Sequence, residues 1–326
     1  MVQNPMKTFI LFLAIILAVG IGSIVWIQNS LLFYPNTSIF NWSPDDRSVN
    51  VITESESVER TVVNAEREAT EREATERDDA RRNVIRINRR SQRTERLDTE
   101  SQQDIMIPDS KGGLSAFFIQ NFPGREFMLY CHGTSGNIYD RKYVFDIAQE
   151  HQLNLLLFDY HGYGKSKSFP TVEGILKDGL TAYDFLAQKQ VPPSRIIVWG
   201  ESLGGAVAAY IARHRKVKGV VLMATFSSMP NLISEMNSLG WAKHPLSMIS
   251  KITLHPLDTG KWLSKVSAPI VVMHSPDDDY ISYNCGYKNY ETAKEPKLLI
   301  DIEGKHISPE ITRDQIVQGL DFIRAH

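Results

Sequence analysis

From residue 104 to the end of the chain, short apolar runs alternate with helix-length segments. The runs are Leu114–Ile119, Phe127–Cys131, Leu153–Phe158, Ile196–Val198, Gly219–Met223, Ile270–Met273 and Lys297–Ile302, and helix-length stretches include 139–150, 172–189 and 203–214. Strand alternating with helix predicts an α/β fold with a mostly parallel, doubly wound sheet covered on both faces. In the last segment Ile316, Leu320 and Ile323 share one helical face, which suits a closing layer on that sheet. Residues 229–265 hold no clear strand but carry Leu232, Ile233, Met236, Leu239, Trp241 and Met248. Such an insertion predicts a small helical cap over a pocket, or a surface helix with its apolar side on the sheet.

Ahead of residue 104 the pattern is of two other kinds. Phe9 to Ile27 reads FILFLAIILAVGIGSIVWI without a charge. A helix of that length approaches the ~30 Å of a bilayer's hydrocarbon core, and the run exceeds the ~7–15 apolar residues of a cleaved signal peptide. The expectation is a single-pass anchor within residues 1–30, followed by a juxtamembrane segment over 31–44 with Trp26, Phe33, Tyr34, Phe40 and Trp42 as interfacial aromatics. Lys7 before the span, with Asp45, Asp46 and Arg47 after it, favours placing the remainder of the chain on the lumenal or extracellular side. Two glycosylation sequons, Asn36-Thr37-Ser38 and Asn41-Trp42-Ser43, lie directly after the run.

Residues 45–103 are rich in Glu, Asp and Arg, lack lysine, and repeat EREAT at 66–70 and 71–75. Glu68 with Arg72 and Glu73 with Arg77 have the i,i+4 order that supports an exposed helix, but apolar positions are too sparse for a core. A charged helical or disordered stalk is expected there, locally basic from Arg81 to Arg96. The globular domain is expected over residues 104–326.

Composition narrows the choices. The 326 residues carry a formal net charge of −2, which gives no electrostatic case for nucleic acid as a partner. Two cysteines make neither a disulfide framework nor a metal cluster, and Cys131 reads as a buried structural thiol.

A serine hydroxyl needs a base and an exposed, rigid position to act as a nucleophile. Gly200-Glu201-Ser202-Leu203-Gly204 lies between an apolar run and an alanine-rich helical segment, where a tight turn would push Ser202 out over the sheet edge. Among nine histidines only His306 and His326 come after the last strand-like run, and His326 is the terminal residue, so His306 is the expected base. The acid belongs after Ile270–Met273, in His274-Ser275-Pro276-Asp277-Asp278-Asp279, where three aspartates compete. A loop over Tyr130-Cys131-His132-Gly133-Thr134-Ser135-Gly136-Asn137 lies directly after a strand and can aim amides at an oxyanion. The expected oxyanion-hole donors are the amides of Thr134 and Leu203. Acyl transfer by such a relay requires no metal or organic cofactor.

Taken together, the ordered blocks YCHGTSGN, FDYHGYGKS, WGESLGG, APIVVMHSPDD and EGKH resemble the α/β-hydrolase superfamily. More narrowly they are similar to its membrane-anchored serine hydrolases, which include protein depalmitoylases and monoacylglycerol-lipase-like or serine-aminopeptidase-like members. LLFYPN at 31–36 resembles the segment after the anchor in that branch. The resemblance implies Ser202 as nucleophile, His306 as base and Asp278 as acid. Ser275, His161 and Lys305 depart from the usual Gly, Arg and Gly, and the first departure leaves Asp277 or Asp279 open. The resemblance implies a serine hydrolase. The expected anchor and the apolar residues of the cap point to an ester or thioester with an apolar acyl chain, carried by a lipid or acylated protein at the membrane. The catalytic set alone does not separate esters from thioesters or amides. A peptidase of aminopeptidase type, holding an α-amine through an acidic group at 201 or in 229–265, is the alternative reading. A catalytically idle binding scaffold is the other.

Overall fold

The computed structural model describes residues 104–235 and 257–326, together with the backbone at 34–35, 84–86 and 102–103. The expected anchor, the sequons, most of the charged segment and the centre of the expected cap (236–256) lie outside the described residues. Among the described residues no helix is long and apolar enough to cross a membrane.

In chain order the elements are β1 (Tyr34–Pro35), β2 (Val84–Arg86), β3 (Gln102–Ile107), β4 (Leu114–Ile119), β5 (Phe127–Cys131), β6 (Ser135–Gly136), α1 (Lys142–Glu150), β7 (Asn154–Phe158), α2 (Val172–Gln188), β8 (Ile196–Glu201) and α3 (Leu203–His214). Then come β9 (Gly219–Met223), α4 (Met229–Glu235), α5 (Thr259–Leu263), β10 (Ile270–His274), α6 (Tyr283–Thr292), β11 (Lys297–Asp301), β12 (Glu303–Lys305), β13 (Ser308–Thr312) and α7 (Arg313–Ala325).

The main sheet runs β11-β10-β9-β8-β5-β7-β4-β3. From β11 to β7 every neighbour pair is parallel, while β4 is antiparallel to both β3 and β7. This is the α/β-hydrolase fold. Side chains alternate along each strand: Leu129 and Cys131 of β5 join Val198 of β8 beneath α2 and α3, whereas Met128, Tyr130, Ile197 and Trp199 pack on the side of α1 and α7. Ile316, Leu320 and Ile323 are buried against that second face, as their helical spacing requires. Local signals set the helix starts. Thr171 accepts from the Gly174 amide at the head of α2, and Thr312 with Gln315 forms a capping box at the head of α7.

The chain passes from β5 to β7 on one side and returns to β8 on the other, so the order reverses around β5. In open α/β sheets such a reversal leaves a crevice at the carboxyl ends of the strands, and that is where ligands bind. A separate small sheet has the order β12-β13-β2. Its β2 lies within the charged segment and pairs antiparallel with β13, Val84 opposite Thr312. β1 pairs parallel with β6, Tyr34 opposite Ser135 and Pro35 opposite Gly136. Within 229–265 the described parts are α4 and α5, with Met229, Leu232, Ile233, Leu257 and Leu263 buried.

Candidate active site

The strand β8 runs three residues past Val198 and ends at Glu201, so Ser202 stands at the bend into α3. Its backbone has φ 54° and ψ −118°, a conformation that costs a non-glycine residue about 1–3 kcal/mol. The bend is held by the Ser202 amide donating to the Met223 carbonyl at 2.9 Å and the Gly205 amide donating to the Ser202 carbonyl at 3.1 Å. The flanking glycines are there for space. A Cβ on Gly200 would meet the backbone of Gly204 and Gly205, and one on Gly204 would meet the Cys131 carbonyl of β5. Serine at a helix N-cap normally bonds an amide of the first turn, but the Ser202 side chain makes no such bond. Its Oγ lies 3.1 Å from His306 Nε2 instead.

His306 occupies the turn between β12 and β13 and is buried. Its Nδ1 is 2.8 Å from Asp278 Oδ2, and its backbone amide donates to Asp279 Oδ1 at 3.3 Å. With a carboxylate at Nδ1, that nitrogen carries the proton and the Nε2 lone pair faces the Ser202 hydroxyl. The Tyr280 ring lies over the imidazole, centroids 5.2 Å apart.

The three aspartates separate clearly. Asp277 and Asp279 are exposed, whereas the Asp278 side chain is 1% exposed. Asp278 Oδ1 accepts the Tyr280 amide at 3.0 Å and the Ile281 amide at 2.7 Å, leaving Oδ2 for His306. Burial pushes this carboxyl up, but the His306 hydrogen bond and charge, with the two amides, outweigh burial and hold it below its ordinary value. Behind it, the buried His274 ring has Nε2 2.9 Å from the Ile281 carbonyl, and burial pushes its pKa down.

Of the two expected oxyanion donors, Leu203 follows Ser202 in the chain and Thr134 follows a residue packed against it. Gly133 packs so closely that a Cβ there would be 3.3 Å from the Ser202 Cβ, and Thr134 is the next residue. Leu203 is the first residue of α3, where a helix leaves its amides without an acceptor. Among the described residues no group of three or more His, Cys, Asp or Glu side chains is arranged to hold a metal ion. Cys131 and Cys285 are both free and buried, and burial raises both thiols, Cys285 to about 11.

Glu201 is not where an α-amine could reach it. It is fully buried, and its Oε2 accepts hydrogen bonds from Tyr130 Oη at 2.8 Å and from Tyr143 Oη. Sequence reasoning did not single out Tyr280, Arg141, Tyr143 or the buried His132–Asp159 pair, whose Nε2 and Oδ1 are 3.3 Å apart. A charged residue inside an otherwise small or apolar block, such as Glu201 in WGESLGG, was the one available hint of that network.

Residues 123–265 match the sequence pattern of a family described as serine aminopeptidase, S33. A Mycobacterium tuberculosis protein described only as uncharacterized, Rv2307c, is 30% identical over 199 residues, covering 60% of this chain and 68% of that protein. The zebrafish (Danio rerio) lysophosphatidylserine lipase ABHD12 is 26% identical over 190 residues, 53% of this chain and 48% of its own length. Among solved structures, a Pyrococcus furiosus esterase superposes with a TM-score of 0.55 at 17% identity, covering 69% of this chain and 90% of that one. That last likeness is one of fold.

Proposed function

We propose, from the premise that this chain belongs to the α/β-hydrolase superfamily, that it is a serine hydrolase cleaving carboxylic esters or thioesters through an acyl-enzyme. The observation that carries the reading is the relay of 3.1 Å from Ser202 Oγ to His306 Nε2 and 2.8 Å from His306 Nδ1 to Asp278 Oδ2.

In this reading His306 Nε2 takes the Ser202 proton as Oγ attacks the acyl carbonyl. Asp278 keeps the imidazole in its tautomer and offsets the imidazolium charge. The amides of Thr134 and Leu203 receive the tetrahedral oxyanion, an arrangement worth about 3–4 kcal/mol per donor. His306 then protonates the leaving alcohol or thiol, and water, deprotonated by the same nitrogen, releases the acid and restores Ser202.

An apolar acyl chain is the favoured substrate portion. Support comes from the apolar positions Met236, Leu239, Trp241 and Met248 that the sequence places in the expected cap and from the lipase among the relatives. The uncharged run Phe9–Ile27 adds a membrane anchor to the proposal, with the hydrolase domain on the lumenal or extracellular side and residues 45–103 as a charged spacer. Tyr34, seven residues after Ile27, pairs with Ser135 beside the Thr134 loop. Seven extended residues span at most ~25 Å, so an anchored chain would open its site near the bilayer surface. A lipid or an acylated membrane protein is the matching partner. The aminopeptidase alternative loses one of its two places for an α-amine anchor, since Glu201 is enclosed by Tyr130 and Tyr143, and keeps the 229–265 segment.

The test compares turnover of a medium-chain p-nitrophenyl ester, the matching acyl thioester and an aminoacyl p-nitroanilide. The proposal expects hydrolysis of the first two with a burst of alcohol or thiol release. Turnover of the anilide alone would replace it with the peptidase reading.

A further inference from the structure

The loop that presents Thr134 contains only a two-residue strand, Ser135–Gly136, and a short 3-10 turn at Ile138–Asp140. Something must fix the direction of its amide. The Arg141 side chain crosses this loop and is almost wholly enclosed, at 1% exposure. Its Nη2 donates to the Ser135 carbonyl, one residue beyond Thr134, and its Nη1 donates to the Asp140 carbonyl at 3.4 Å.

A buried guanidinium needs counter-charge. Burial alone would push Arg141 down, but Tyr143, Glu201, Tyr130 and Asp140 around it hold its pKa above the ordinary value. Glu201 is the residue immediately before Ser202, and its carboxylate is itself enclosed, bonded by the hydroxyls of Tyr130 from β5 and Tyr143 from α1. Arg141 is the N-cap of α1, and Tyr143 in the first turn of that helix bonds Glu201, so the guanidinium at the oxyanion loop and the carboxylate on the nucleophile bend are joined through α1. The rest of the loop is tied from elsewhere: Asp159 Oδ1 accepts the Ile138 amide at 3.0 Å, and Tyr160 Oη donates to the His132 carbonyl at 3.0 Å. Buried charges that offset one another are weak contributors to stability relative to apolar replacements. What this cluster supplies is relative position.

We propose that Arg141 and Glu201, linked through Tyr143 of α1, are positioning residues that fix the Thr134 amide relative to Ser202, so that the oxyanion meets a preset donor. The proposal rests on Ser202 being the nucleophile. Neither residue touches the substrate. Arg141 acts through the Ser135 carbonyl, and Glu201 acts through its own backbone link to Ser202 and through Tyr143 of α1.

The experiment uses the full chain with Arg141→Met, Arg141→Lys and Glu201→Gln, and Ser202→Ala as control. Each is assayed on an ester and on the thionoester in which sulfur replaces the carbonyl oxygen. A sulfur anion is a longer, poorer acceptor, so well-placed donors favour the oxygen ester, and displaced donors lose that preference. For Arg141→Met the expected result is a fall in kcat of roughly 10- to 100-fold with KM within about threefold of wild type, and a reduced oxygen-over-sulfur preference. Arg141→Lys, which keeps one donor able to reach Ser135, recovers part of both. Should Arg141→Met fail to fold, Arg141→Lys and Glu201→Gln carry the test. Folded variants that keep the wild-type oxygen-over-sulfur preference overturn the proposal, even where their melting temperature falls. Wild-type turnover by Ser202→Ala would overturn the nucleophile assignment and this proposal with it.

Discussion

At the end of β8 the Ser202 hydroxyl turns away from the helix it begins and toward an imidazole 3.1 Å distant. Serine was legible in the sequence because glycines on both sides marked a bend, and those glycines have a steric reason in the close approach of β5 and α3. The acid was less legible. Asp277, Asp278 and Asp279 are the same residue type in one turn, and no local pattern says which faces inward. Three-dimensional packing separates them, since only the middle carboxylate is enclosed and bonded to His306 Nδ1. Asp278→Asn is therefore expected to lower kcat by roughly 10³- to 10⁴-fold, by stabilising the wrong tautomer of His306. Asp277→Asn and Asp279→Asn should stay within about tenfold of wild type, as exposed charges contribute little. Equal losses from all three, measured as kcat on one ester, would refute the assignment of Asp278.

Strands that are buried on both faces announce themselves as continuous apolar runs, which is why Leu114–Ile119, Phe127–Cys131 and Gly219–Met223 coincide with β4, β5 and β9. The elements missing from the sequence reading are of the opposite kind. Lys305 and Ser308 flank a hairpin of polar residues, and Tyr283–Thr292 forms α6 with few apolar positions, so neither has a strong period. Glu201 extends β8 although glutamate favours strands little, because its carboxylate is anchored by two tyrosines. A second buried carboxylate links elements at the opposite ends of the strands. Glu126, just before β5, accepts from Lys218 at 2.7 Å, just before β9, and from Arg324 of α7 at 3.4 Å. Burial raises its pKa, but Lys218 and Arg324 outweigh this and bring it from 4.5 to about 2. A depressed carboxylate stabilises the fold above its unfolded pKa, and that contribution is lost as pH falls through the folded value. Glu126→Gln should lower Tm at pH 7, by an amount corresponding to about 1–2 kcal/mol once solvent screening of the partly exposed Lys218 and Arg324 is counted. The gap to wild type should close between pH 4.5 and about 2 in thermal melts. A gap that persists unchanged at pH 2 would contradict the ion-pair account.

At the scale of the whole molecule, the sheet order brings the ends of β5, β8 and β10 to one edge, and the loops after them carry Thr134, Ser202 and Asp278. His306 joins them from the β12–β13 turn beyond β11. That convergence was readable because the chemistry-bearing blocks come in a fixed order along the chain, each after a strand. The pairings of Tyr34–Pro35 with Ser135–Gly136 and of Val84–Arg86 with Glu310–Thr312 were not readable, since they join segments about a hundred or more residues apart with no complementary local pattern. The Arg141–Glu201 cluster was hidden for the same reason, its members coming from three elements and a loop. The central claim, that Ser202 is an activated nucleophile, is tested most directly by stoichiometric labelling of the full chain with a fluorophosphonate probe. The account predicts rapid labelling of wild-type protein on the peptide containing Ser202, and none for a folded Ser202→Ala variant. Folded wild-type protein that labels no faster than Ser202→Ala would contradict it.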